Sequence, residues 1–221
     1  MALIAIPLLI RGLGTDRFGV LTLAWMVIGY FSLFDLGLGR ALTQLVAVKL
    51  SAGDETQVPP LVWTALVMMF GLGFLGAIVV SLISPWLVIS VLKIPLPLQV
   101  EVLNSFYLLA ACIPVVIITA GLAGILTALQ RFDVLNAIRI PMGIYGFLAP
   151  LLVLPFSKNL SMVTAVLVMG RLVACGVHMM VCMRLMPALR SGFSLHYAAI
   201  KPLFHFGARS EERRVGKECR L

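Results

Sequence analysis

Charge is what this chain lacks. Of its 221 residues, 17 are basic and nine acidic, 12% together, about half the roughly 25% of an ordinary soluble domain. Apolar residues make up 61% and mean hydropathy is +1.08, so a soluble globular domain is excluded. Cysteine is sparse, with four residues and no Cys-x-x-Cys pair. No Gly-x-Ser-x-Gly or His-Glu-x-x-His occurs, and no histidine has a carboxylate at close spacing, which removes the common hydrolase signatures. No basic stripe interleaved with aromatics is present either, so no nucleic-acid partner is expected. The net charge of +8 is inflated by Arg209–Leu221, which holds five basic and three acidic residues.

What is present is a series of long apolar runs. A spanning helix needs roughly 20 mostly apolar residues. Such runs lie at 18–38, 61–83, 102–129, 136–156 and 162–186, preceded by a half-length run at 2–10. The short run follows Met1 without a basic n-region, so it reads as a truncated first helix and not as a signal peptide. The expected fold class is all-α: a polytopic transmembrane bundle of about six helices.

Several local signals punctuate these runs. Gly53 is a candidate C-terminal cap for a helix ending near Ser51. Pro59 and Pro60 suit the first turn of the next helix. Gly73, Ala77 and Ser81 form one small-residue row, and Ala120, Gly124 and Ala128 another, which let neighbouring helices approach closely. Lys93–Pro97 reads as a short rigid loop. Gly71, Gly73 and Gly76 match Gly-x-Gly-x-x-Gly, but no strand precedes them and the stretch is membrane-like, so no nucleotide cofactor is assigned.

Lys and Arg in short loops set orientation. Arg40, Lys49, Arg131, Arg139, Arg184, Arg190 and Lys201 fall on one side, and Arg11, Arg17, Lys93 and Lys158 on the other. Seven against four puts the first group in the cytoplasm. Arg131 and Arg139 are read as anchors of that interface.

Two charges do not fit a passive membrane span. Asp35 and Arg171 both sit inside apolar runs, where a charge is expensive and marks a cavity, a pathway or an ion pair. Arg171, Cys175, His178 and Cys182 lie within about 60° of one another around a helix, the natural candidate for a cavity face. A structural pairing of Arg171 with Asp35 or with backbone carbonyls is the alternative. Cys175, His178 and Cys182 could on paper hold zinc, but the site would need further ligands and polar groups behind them. Packing is the stronger reading, and no metal is assigned. Arg40 and Gln44 are four apart and share a helical face. Arg40 either snorkels to the interface or holds phosphate oxygens bidentately. The candidate substrate-binding residues are therefore Asp35, Arg40, Gln44, Arg171 and His178, with no catalytic residue.

Four segments in order resemble one family. Ile6-Pro-Leu-Leu-Ile-Arg-Gly-Leu-Gly-Thr-Asp-Arg-Phe-Gly19 resembles the first helix and loop of polysaccharide (O-antigen type) flippases. Phe34-Asp-Leu-Gly-Leu-Gly-Arg-Ala41 resembles the middle of their second helix. Leu126-Thr-Ala-Leu-Gln-Arg-Phe-Asp-Val-Leu-Asn136 is similar to their fourth-to-fifth connection, and Lys201-Pro-Leu-Phe-His-Phe-Gly207 to the lead into their seventh helix. The resemblance covers about residues 3–207. The family that it resembles belongs to the superfamily that also contains multidrug and toxin extrusion transporters.

That resemblance implies a two-lobe, multi-pass transporter of the bacterial inner membrane. Its members move undecaprenyl-pyrophosphate-linked oligosaccharide between leaflets by alternating access. Arg40, with Asp35 and Arg171, would line the first lobe's cavity. On this reading residues 1–207 are an N-terminal lobe whose partners are the lipid-linked substrate, membrane lipids and a missing C-terminal lobe. Arg209–Leu221 resembles translated non-native sequence, the alternative being a basic cytoplasmic tail. The chain alone is expected to be inactive. Two rival functions remain: a drug or cation antiporter, which calls for a carboxylate-rich cavity, and a membrane-embedded polymerase or ligase. The enzyme would need a large outer loop or a paired acid and base, and the longest outer loop, Pro85–Glu101, supplies neither.

Overall fold

A computed structural model describes residues 2–31, 38–92, 94–157 and 159–190. Among them are seven α-helices and no strand: α1 (Ala2–Leu13), α2 (Thr15–Phe31), α3 (Leu38–Ser51), α4 (Val58–Trp86), α5 (Leu96–Ala128), α6 (Phe132–Val153) and α7 (Leu160–Leu185). Four of these segments are long and apolar enough to cross a membrane: Val58–Val91, Leu96–Ala128, Phe132–Val153 and Leu160–Leu185. The chain is a polytopic helical bundle and a membrane protein. Asp35, Lys201 and Arg209–Leu221 lie outside the described residues.

The helix boundaries follow from local chemistry. Gly53 adopts φ +73, while its N–H donates to Leu50 O and that of Asp54 donates to Lys49 O. These two bonds, with a left-handed residue between them, satisfy the last carbonyls of α3. Pro59 and Pro60 occupy the first turn of α4, where a missing N–H leaves nothing unpaired. Asn159 caps α7 by accepting from Ser161 N at 2.9 Å, as expected of an N-cap amide.

One loop is shorter than its sequence suggests. The 85–101 stretch, expected as the longest loop, is largely helical. Pro85 lies inside α4, and a π-turn over Leu87–Val91 extends the helix before α5 begins at Leu96. Leu96 and Pro97 therefore belong to a first helical turn, which tolerates proline.

Helix α5 is the centre of the bundle. It packs against α2, α3, α4, α6 and α7, and 61% of its most apolar window is buried, against 17% for α4 and for α6. Its serine and threonine hydroxyls stay satisfied in this apolar setting by back-bonding one turn upstream. Ser105 donates to Glu101 O, Thr119 to Val115 O and Thr127 to Ala123 O. Small residues set the approach of its neighbours. A Cβ on Gly73 of α4 would lie 2.5 Å from Pro114 Cα, and one on Gly124 would lie 2.6 Å from Thr43 Oγ1 of α3.

Two apolar clusters close the two ends. At one end Leu9, Val20, Val88, Val102, Phe106, Ala149 and Leu160 pack together. At the other, Val46, Val58, Val62, Leu126, Leu135 and Met186 do so. Trp63 Nε1 donates to Leu189 O across that second end at 3.3 Å. The first end is pinned by Glu101, whose side chain is only 13% exposed. Its carboxylate accepts from Arg17 Nε and Nη2, each at 3.2 Å, and from the N–H of Leu160. Its carbonyl accepts from Ser161 Oγ at 2.9 Å. One residue thus joins the starts of α2, α5 and α7, and its negative charge suits the N-terminus of α7.

Candidate functional site: a cationic groove between α5, α6 and α7

Beside the second of these clusters, three helices leave a groove of about 440 Å³. Each contributes a stripe at helical spacing. These are Val116, Thr119, Ala120 and Ala123 from α5, Arg139, Met142 and Gly143 from α6, and Arg171, Ala174 and His178 from α7. The floor is small-residued, so the chain leaves space there without needing a kink. A Cβ on Gly143 would meet nothing within 4 Å.

The polar groups lie at matched depths. Arg139 is seven residues past the start of α6 and His178 seven before the end of α7, about 10 Å from the same end of the bundle at 1.5 Å per residue. Arg171 is 14 residues before Leu185, about 21 Å from that end. The groove therefore reaches from one interface towards mid-membrane.

The two arginines have no counter-ion among the described residues. The three ion pairs among the described residues, Arg17–Glu101, Lys49–Asp54 and Arg131–Asp133, all sit near helix ends. Neither Arg139 nor Arg171 makes a salt bridge or hydrogen bond among the described residues, and both are exposed to the groove. Arg139 is close enough to act electrostatically on His178. His178 itself is 4% exposed. Its Nδ1 lies 2.8 Å from Ala174 O, while Nε2 is buried without a hydrogen-bond partner among the described residues.

The sequence-derived candidates separate. Arg171 and His178 line the groove together. Arg40 and Gln44 are exposed on α3, outside that lining, and Asp35 falls outside the described residues. Cys175 is half-buried. Cys182 turns into the core, with its thiol 3.7 Å from Leu122 O. Arg139, expected as an interface anchor, lies two turns inside α6 and shares the groove with Arg171. Arg131 does sit at the α5–α6 joint, exposed, where its hydrogen bond to Asp133 holds the guanidinium above its ordinary pKa.

A second cavity, about 330 Å³, opens between α6 and α7 near the Glu101 end and is lined by Tyr145, Leu152, Phe156, Met162 and Val166 among others. Tyr145 fixes this helix pair. Its hydroxyl donates to Val166 O at 2.6 Å, and its ring fills the place a side chain on Gly170 would need.

No family model and no solved structure matches the chain. Over 208 residues it is 29% identical to a Shigella flexneri protein named "Putative O-antigen transporter". The match takes in 93% of this chain and 49% of the relative, so the chain spans about half the length of the curated protein it matches. With its membrane-crossing helices, the chain is thus a membrane protein distantly related to a protein named as an O-antigen transporter.

Proposed function

We propose that this chain is the N-terminal lobe of a transporter that exports lipid-linked oligosaccharide across the bacterial inner membrane during polysaccharide biosynthesis. The observation that carries the reading is the pair of guanidiniums, Arg139 and Arg171, facing a groove without a carboxylate partner among the described residues. Two unpaired cations at membrane depth are costly unless an anion visits them. A guanidinium offers a planar fork to phosphate oxygens, so a pyrophosphate-linked sugar fits. The name of the Shigella relative supports the same class of cargo.

Transport would use alternating access, with this lobe rocking against a second one around a shared cavity. Residues 1–221 alone would insert but not transport. A cation antiporter is the weaker reading, because the described residues that line the groove include no carboxylate.

The test is export in a strain lacking its flippase, complemented with a full-length version of this protein. Arg139→Gln with Arg171→Gln should reduce surface glycan at normal protein level. The control Arg184→Gln, in the last turn of α7, should not. Undiminished export by the double variant would remove the groove from the mechanism.

A further inference from the structure

The three helices around the groove are held very differently. On α7, Ala174, His178 and Cys182 are buried, and the Cys182 thiol lies 3.7 Å from Leu122 O of α5. On α5, Pro114 is buried and Gly73 of α4 packs against it. Helix α6 is pinned at two places. Leu135 is buried in one end cluster. Tyr145 donates to Val166 O and lays its ring over Gly170, and Ala149 and Pro150 are buried just beyond it. Between the pins, residues 136–144 contribute no buried side chain, and only Ile138 and Met142 are even half-buried. This stretch of about 13 Å is also the weakest helix of the three. Pro141 has no N–H to give to Ala137 O, and Gly143 is a poor helix former. Of the prolines inside α5 and α6, Pro114 and Pro150 are buried and Pro141 is exposed. A Cβ on Gly143 would meet nothing within 4 Å, so no neighbour holds the helix straight there. Sharp helix bends arise at such residues.

We propose that residues 136–144 of α6 are a flexible strap across the groove, bending at Pro141 and Gly143, whose movement during transport carries Arg139 towards and away from Arg171. The second clause rests on the reading that the groove lies on the transport route; the flexing itself does not. Arg139 stands near the middle of the strap, two residues before Pro141. Arg171 stands on α7, which is held by its own buried face. The two guanidiniums therefore belong to bodies of unequal freedom, and a change of backbone angle at two residues alters their separation without repacking α5 against α7. Hinges of this kind place the φ/ψ change in a few residues between packed elements. The Tyr145 contact makes the outer half of α6 part of the fixed body, so the bend stops there.

The experiment is amide hydrogen exchange of a full-length version of this protein in lipid nanodiscs, read by mass spectrometry, with glycan export measured alongside. Residues 173–181 of α7 lie at the same depth as the strap and border the same groove, so they are the internal reference. Amides of 136–140 should exchange at least about tenfold faster than those of 173–181. Pro141→Ala with Gly143→Ala restores the missing donor and a better helix former. It should bring 136–140 to within about threefold of the reference, leave 173–181 unchanged, and lower export at normal membrane level. Gly143→Ala alone keeps the proline and should slow the strap in part; it decides the matter if the double variant fails to insert. Gly146→Ala, beyond the Tyr145 pin and equally unobstructed, should leave 136–140 unchanged. Exchange of the strap no faster than the reference, or unaltered by stiffening, overturns the proposal, as does equal slowing by Gly146→Ala. Full export by a variant whose strap has slowed overturns the strap's part in transport and leaves the anion reading of the groove standing. Failure of that reading, shown by undiminished export with both arginines replaced, leaves the exchange difference as it was.

Discussion

Replacing Gly73 by alanine puts a methyl group against backbone. The new Cβ would lie 2.5 Å from Pro114 Cα, 3.1 Å from its N and 3.2 Å from its Cβ. Pro114 is held inside α5 and its ring cannot swing aside, so α4 and α5 must separate by about 1 Å to restore a normal carbon–carbon contact of roughly 3.5 Å. That separation loosens Met69, Ile113 and Ile117, all buried in the same cluster. Overpacking of this kind costs about 1–3 kcal/mol, and a backbone obstacle belongs in the upper half. Alanine returns up to about 1 kcal/mol as the better helix former. Gly71, two residues earlier on α4, isolates that gain, because a Cβ there meets nothing within 4 Å. The two variants should therefore differ by about 2–3 kcal/mol, Gly73→Ala being the less stable. Reversible unfolding in mixed micelles, followed by tryptophan fluorescence, measures the difference. Equal stabilities would refute the close α4–α5 contact.

Other consequences are as specific. Glu101→Gln keeps the shape but removes the charge that joins Arg17 to the start of α7, and should cost about 1–2 kcal/mol by the same assay, since Arg17 is partly solvent-screened. Gly53→Ala forces a Cβ into φ +73 and should cost about 1 kcal/mol, whereas Ala52→Gly should cost less, as that position does not need the left-handed region. Gly143→Phe should fill the groove and abolish glycan export at normal membrane level. Gly176→Phe, equally unobstructed but outside the lining, should leave export intact. A cysteine at Gln130 should be labelled from the cytoplasmic side and one at Asn159 from the outer side, the reverse pattern contradicting the orientation.

Much of the scaffold is written in local sequence. Apolar run length implies a helical bundle without any tertiary information, because an unpaired backbone amide in hydrocarbon costs several kcal/mol and only helices or closed barrels avoid it. Gly53 and the Pro59–Pro60 pair mark helix ends for equally local reasons, a left-handed φ and a missing donor. Gly73 and Gly124 signal close approach through the mere absence of a side chain. None of these features names its partner. Only the packed structure decides that Gly73 meets Pro114 and that Gly124 meets α3.

The groove shows the same division. Arg171 declares itself by standing alone in an apolar run, since a charge there needs a reason. Arg139 does not, because reading the span from Asn136 leaves it at a helix end. Extending α6 back to Phe132 puts it two turns inside. Glu101 looks like an unremarkable loop carboxylate until α5 starts at Leu96 and brings α2 and α7 against it. Sequence alone determined that this is a membrane bundle with cations in its spans, because hydrophobicity and charge are properties of single residues. Which cations share a cavity depends on the rotation and register of three helices, and those are settled only when the side chains pack.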